Sequence, residues 1–189
     1  LEVAGRSGRF RLTLLSEAPL VLRRMTRGAH SVSFEGEWKG KALKGAAARD
    51  TTAGGCHLEP TWFRNPQYAL TVGGGGGETS LKVVLRRPES VWEAPMQRSV
   101  VESMMGFYLL RAPSELNSKL PLQDKASVQP DILHESCFAP TLEVSCTIQL
   151  CAQTPTTLVL VPATFGAAQQ GPFEVALASE EPLSWRELT

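Results

Sequence analysis

Asp50-Thr51-Thr52-Ala53-Gly54-Gly55-Cys56-His57-Leu58-Glu59-Pro60-Thr61-Trp62-Phe63-Arg64-Asn65-Pro66-Gln67-Tyr68 is the stretch on which the reading of this chain turns. Its small residues and the Gly54-Gly55 pair let the backbone reach positive φ or approach another segment closely. Trp62 and Phe63 add a large apolar load, and Asn65-Pro66 turns the chain, with extended geometry imposed on the residue before the proline. Tyr68, Leu70 and Val72 then alternate with period 2, the pattern of a half-buried strand. Turn, aromatic anchor and strand start are one piece, and the expectation is that Gly54, Gly55 and Trp62 clamp two facing sheets.

Outward from that piece the same alternation recurs. Upstream, Val32, Phe34 and Trp38 share one face of a first strand over residues 31–38, followed by a Lys/Ala/Gly-rich loop over 39–49. Downstream, the five glycines 73–77 read as a flexible hairpin loop. Leu81, Val83 and Leu85 form the next strand face, and residues 105–111 another strand. Residues 113–140 hold four prolines and little periodicity, so they are expected to wrap the surface, with a short helix near 131–136. Leu142, Val144, Cys146, Ile148 and Leu150 alternate cleanly; residues 158–161 are apolar on both faces, the mark of a central strand; Phe173, Val175 and Leu177 close the sheet. With 16 glycines and 13 prolines and no long helical pattern, the fold class is all-β, an antiparallel two-sheet β-sandwich of about eight strands.

Residues 8–20 and 171–183 are self-similar. Gly8, Phe10, Leu14, Ser16-Glu17 and Pro19-Leu20 recur as Gly171, Phe173, Leu177, Ser179-Glu180 and Pro182-Leu183, at one constant offset of 163 residues. A domain-sized repeat points to tandem duplication. The expected division is 1–24 as the terminal strand and linker of a preceding copy, and 25–189 as an intact sandwich.

Bulk properties exclude several classes. The formal net charge is zero, which argues against a nucleic-acid binder, although residues 1–50 carry ten Lys/Arg against five Asp/Glu and the remainder nine against fourteen. No apolar run approaches the ~20 residues of a membrane span. Residues 1–11 are Arg-rich and lack the apolar core of a signal peptide, so a cytoplasmic location with reduced, buried thiols at Cys56, Cys137, Cys146 and Cys151 is expected.

Four blocks carry a family resemblance: Gly36-Glu37-Trp38, the stretch from Asp50 to Tyr68, Met105-Gly106-Phe107-Tyr108-Leu109-Leu110, and Leu158-Val159-Leu160-Val161-Pro162-Ala163-Thr164-Phe165 with Gly171-Pro172-Phe173. In this order they resemble the C2-like β-sandwich domain (domain III) of calpain-type proteases, whose fold-defining positions here are Trp38, Gly54, Gly55, Trp62, Asn65, Pro66 and Tyr68. The last block resembles that domain's closing hairpin. Tandem copies mark atypical calpains without EF-hands, and the chain is most similar to the second, C-terminal copy of the calpain-10 type. The resemblance implies a non-catalytic regulatory or interaction module of an intracellular cysteine endopeptidase. It would dock to the protease core, a neighbouring domain or a protein partner.

A cysteine nucleophile needs a histidine base within hydrogen-bond reach, yet Cys56 and His57 are neighbours whose side chains leave an extended chain on opposite sides. His30 and His134 read as linker and loop residues. His134, Cys137, Cys146 and Cys151 can be drawn as a zinc set, but Cys146 and Cys151 start from opposite strand faces, and structural zinc ligands come in tight pairs. Calpains carry an acidic calcium loop after the Asn-Pro-Gln-Tyr strand; here glycines 73–77 and the single carboxylate of Glu78 stand there, too little charge for a hard cation. No catalytic residue, metal or cofactor is therefore expected. Lys82, Arg86, Arg87 and Arg98 are candidate contacts for a partner carboxylate or, in the alternative reading, for an anionic phospholipid surface. Trp92, in a proline-flanked loop, is a candidate partner contact. Trp38, Trp62, Phe107 and Phe165 are expected in the core.

Overall fold

A computed structural model of the chain describes residues 30–40, 51–74, 76–88, 103–122, 125–152 and 154–189. The described residues form nine strands: β1 His30–Trp38, β2 Tyr68–Val72, β3 Gly77–Arg86, β4 Met105–Arg111, β5 Ile132–Glu135, β6 Glu143–Ala152, β7 Thr156–Thr164, β8 Gly171–Ser179 and β9 Leu183–Glu187. They pair antiparallel into two sheets, β1-β8-β3-β6 and β5-β4-β7-β2-β9. The expected two-sheet sandwich is the fold observed. The expected segment 1–24, Trp92 and Arg98 lie outside the described residues.

The core between the sheets follows the alternation. Phe34 and Trp38 of β1, Leu81, Val83 and Leu85 of β3, and Phe173, Val175 and Leu177 of β8 face Tyr68, Leu70, Phe107, Leu109, Leu158 and Leu160 of the other sheet. Trp38 is fully buried, and its indole N–H donates to the Pro162 carbonyl at 3.2 Å, so this large ring enters the core without an orphaned donor. β7 is buried on both faces, as its two-sided apolar pattern predicts, lying between β4 and β2.

A second apolar layer lies outside the β5-β4-β7-β2-β9 sheet. Ala69, Tyr108, Leu110, Val159, Val161 and Ala163 turn outward there, under Trp62 and Leu122 from the segments that precede β2 and follow β4. Trp62 therefore does not clamp two sheets, as expected from the sequence; it roofs one of them, with its ring edge-on to Tyr108 at 5.2 Å. The physical reason is supply: Trp38 already fills the space between the sheets, while the outward face of β7 is as apolar as its inward face and needs a cover.

Local departures have similar causes. The expected hairpin does not form, because β2 and β3 belong to different sheets, and the Gly73 N–H donates to the Pro182 carbonyl at 2.7 Å. β7 and β8 likewise lie in different sheets, so the expected closing hairpin is a crossover. β8 is not a closing edge but lies between β1 and β3. The helix expected near 131–136 sits earlier, as a helical turn over Lys125–Val128 and a 3-10 turn over Gln129–Asp131, where Pro130 is tolerated near the start of a helical turn. β5 follows and pairs with β4 through an irregular register at Leu109/Leu110. His134 is thus a strand residue packed on Phe107, not a loop residue.

The opening motif is a hydrogen-bonded knot. Asn65, fully buried, accepts the Gly54 N–H at 3.0 Å and donates to the Gly55 carbonyl at 2.7 Å and the Trp62 carbonyl at 2.9 Å. Thr61 donates to the Gly54 carbonyl at 2.8 Å. Gly55 has φ +80°, the left-handed region that disfavours a side chain. Asn65 therefore fixes the Trp62 turn over its sheet.

Candidate functional site

Three of the predicted contact residues lie on β3 or just after it, and each has a different fate. Lys82 is exposed on the outward face of the β1-β8-β3-β6 sheet. Arg86 shares that face but is half-buried against Glu174 of β8: its Nε donates to Oε2 at 3.0 Å and its Nη2 to Oε1, a bidentate pair. Across the strands this row reads Glu35, Glu174, Arg86, Glu143. The row is thus acidic around one arginine.

Arg87 corrects the expectation of an exposed contact. It is 1 % exposed, and its Nη2 donates to the Ser103 carbonyl at 2.9 Å and to Ser103 Oγ at 2.7 Å. Burial pushes the guanidinium below its ordinary value. A side chain so enclosed cannot reach a lipid headgroup or a partner without leaving its site. Trp92 and Arg98 lie outside the described residues.

The thiols and imidazoles are scattered. Cys56 is buried, while His57 turns to Tyr108 and Glu135, with Nδ1 2.9 Å from the phenol oxygen and 3.3 Å from Glu135 Oε1. The His57 backbone N–H also donates to that phenol at 3.1 Å, and burial holds Tyr108 well above its usual range, an effect this bond partly offsets. Cys146 packs toward the core, and burial raises its thiol. Cys137 and Cys151 are exposed, not buried as expected: Cys151 falls on the outward face of β6, and Cys137 follows the end of β5. No group of three or more His, Cys, Asp or Glu among the described residues is placed to hold a metal ion.

The most distinctive surface was not foreseen. Phe165, expected in the core, is 41 % exposed, and Leu58 and Phe63 are 71 % and 42 % exposed. The segments that carry Leu58 and Phe165 converge at one end of the sandwich. The Cys56 N–H donates to the Phe165 carbonyl at 3.0 Å, and the Phe165 N–H to the Met104 carbonyl at 2.8 Å. Phe138 meets the Phe165 ring edge-on at 6.0 Å. Alternation gave no signal for this, because Val159, Val161 and Ala163 on the same face of β7 are all buried.

Two antiparallel sheets, an Asn65-centred knot and a tryptophan roof define a β-sandwich module of the C2-like class. Residues 34–177, from within β1 to within β8, match the family model of calpain large subunit, domain III, and the chain belongs to that family. Calpain domain III is a non-catalytic C2-like module of calpains. A search of curated proteins finds no match to the chain.

Proposed function

We propose that this chain is the docking and regulatory module of an intracellular calpain-type cysteine endopeptidase, and that its apolar end seats the protease core. The observation that carries this reading is the exposure of Leu58, Phe63 and Phe165 on segments pinned by backbone hydrogen bonds. Large apolar side chains held in one place are the residues that anchor interfaces, since little ordering entropy remains to be lost on binding. A domain of a large subunit has the other domains of that subunit as its nearest partners, and a core docked here would be positioned without any reacting group from this chain. The 163-residue repeat supports placing the chain as the second, C-terminal copy of an atypical calpain.

The test is binding in trans to the separately expressed protease core, measured by calorimetry. The Leu58→Asp/Phe165→Ser double variant should bind at least about tenfold more weakly, a loss of about 1.4 kcal/mol, with an unchanged melting midpoint. Unaltered affinity in a folded variant would reject this end as the seat. A parallel sedimentation with phosphatidylserine vesicles addresses the membrane reading. That reading now leans on Lys82, because Arg86 is paired with Glu174 and Arg87 is enclosed.

A further inference from the structure

β1 and β9 are the edge strands that face each other across the sandwich, and aromatic rings close part of the seam between them. Trp185 stacks on Phe34 with centroids 4.0 Å apart, and Tyr68 packs against both rings. Two residues further along β1 the seam opens, because the inward position is Gly36. A Cβ there would run into the Phe173 ring and the Tyr68 hydroxyl. The opening is a cleft of about 420 Å³ floored by Tyr68 and Phe173.

Among the described residues, the polar side chains that line it are mostly acceptors. Glu35, Glu37 and Glu187 line the cleft. The prolines in its wall, Pro66, Pro88 and Pro172, have no N–H to offer. Thr52 is already engaged: its Oγ1 donates to the Glu37 carbonyl and accepts the Lys39 N–H, both at 2.8 Å. The ammonium of Lys39 lies 3.7 Å from Glu37, and among the described lining residues the three glutamates outnumber this one cation. Tyr68 is 3 % exposed, and its hydroxyl lies in the cleft beside Gly36, with no hydrogen-bond partner among the described residues. That phenol oxygen, open to the cleft, offers a ligand both an acceptor and a donor.

We infer that this cleft receives the guanidinium of an arginine side chain presented by another polypeptide. Guanidinium carries five N–H donors and no acceptor, in a plane that bridges several carboxylates while its face lies on aromatic rings. The ammonium of lysine offers three donors from a point, a poorer fit to carboxylates spread around a rim. An arginine stem is apolar, like the proline and ring walls. The site is distinct from the Leu58 and Phe165 end and does not rest on the docking proposed there.

The test is a nuclear magnetic resonance titration of the isotope-labelled full chain with the peptide acetyl-Gly-Arg-Gly-amide. The control is the citrulline analogue, which keeps the shape but loses the charge. Saturable shifts at the Gly36, Tyr68 and Glu187 amides are expected with the arginine peptide alone. The Glu35→Gln/Glu187→Gln variant should weaken binding about tenfold, or about 1.4 kcal/mol, with the melting midpoint unmoved because both carboxylates are exposed. Tyr68→Phe, which keeps the ring, should weaken it as well. Equal shifts from the citrulline peptide, no saturable shift from the arginine peptide, or unchanged affinity in the glutamine variant would each overturn the assignment.

Discussion

Replacing Asn65 by alanine tests the reading that its side chain, more than any apolar contact, holds the tryptophan roof. The substitution removes the acceptor of the Gly54 N–H and the donor to the Gly55 and Trp62 carbonyls. Trp62 keeps one donor, the Asn65 backbone N–H at 3.1 Å, so its carbonyl is not orphaned. The Gly54 N–H and the Gly55 carbonyl lose their side-chain partner at a residue that is 0 % exposed, where water cannot enter without opening the knot. At about 1–3 kcal/mol for each unsatisfied buried group, the loss is about 2–6 kcal/mol. For a domain of this size, at about 2–4 °C per kcal/mol, that lowers the melting midpoint by about 4–24 °C. Denaturant unfolding followed by tryptophan fluorescence measures it directly, since Trp62 packs on Tyr108 within the roof. Thr61→Val, which deletes only the 2.8 Å bond to the Gly54 carbonyl at a half-buried position, should cost about 0.5–1.5 kcal/mol and serves as the graded control. A loss below about 1 kcal/mol for Asn65→Ala would refute the reasoning, because the bonds would then be no better than those water supplies.

Three further outcomes follow from the same structure. The chain has two tyrosines, Tyr68 and Tyr108, both buried and both held neutral by burial above their ordinary value. Above pH ~10 the unfolded chain releases two phenolic protons that the folded chain retains, so stability falls as pH rises, by about 2.7 kcal/mol per unit for the pair. Phenolate absorbance near ~295 nm should therefore rise only with unfolding, and a stepwise rise in the folded protein near pH ~10 would contradict this. Gly36→Ala should cost on the order of 1–3 kcal/mol through overpacking against Phe173 and Tyr68, read as a shifted denaturant midpoint; a neutral result would show that the seam relaxes. Arg87→Met should leave stability within about 1 kcal/mol or raise it, since Nε and Nη1 have no partner among the described residues and desolvation of the charge is relieved; a loss above about 3 kcal/mol would show that the bonds to Ser103 outweigh that relief.

Much of this was legible in the chain because period-2 alternation reports which way a strand residue points, whatever its chemistry. Leu81, Val83 and Leu85 already set the inward phase of β3, and Arg87 is the next position in that phase. Its charge suggested an exposed contact; the geometry decided otherwise. The same phase in β1 runs Phe34, Gly36, Trp38, so the missing side chain that opens the seam stood in plain view. Alternation is silent on partnership, however. Nothing local tells that β2 and β3 enter different sheets, or that β8 lies between β1 and β3. It is also weak over short runs: β5 and β9, of four and five residues, hold too few periods to rise above turn chemistry. The candidate site suffered most, because exposed apolar residues at segment ends have no pattern of their own. Leu58 and Phe165 become a surface only when backbone hydrogen bonds bring residues 56 and 165 together.

The two outer faces of the sandwich bear on the proposal that recognition falls to its ends and seams. One face presents rows of small or charged residues, Ser33-Ala176-Val84-Ser145 and Glu35-Glu174-Arg86-Glu143, with no large apolar side chain in either row to anchor a partner. The other face is occupied by Trp62, Leu122 and the segments that carry them. Leu58 and Phe63 are exposed on those covering segments, on either side of Trp62. The proposed docking and the stability of the sheet cover are thereby tied to one turn. Truncating Trp62 to alanine would cost about 3–5 kcal/mol by leaving a cavity over Tyr108, and it would also release the residues that flank it. A surface carried this way can change its contact residues freely, but the indole beneath them and the Asn65 knot that holds the turn must stay.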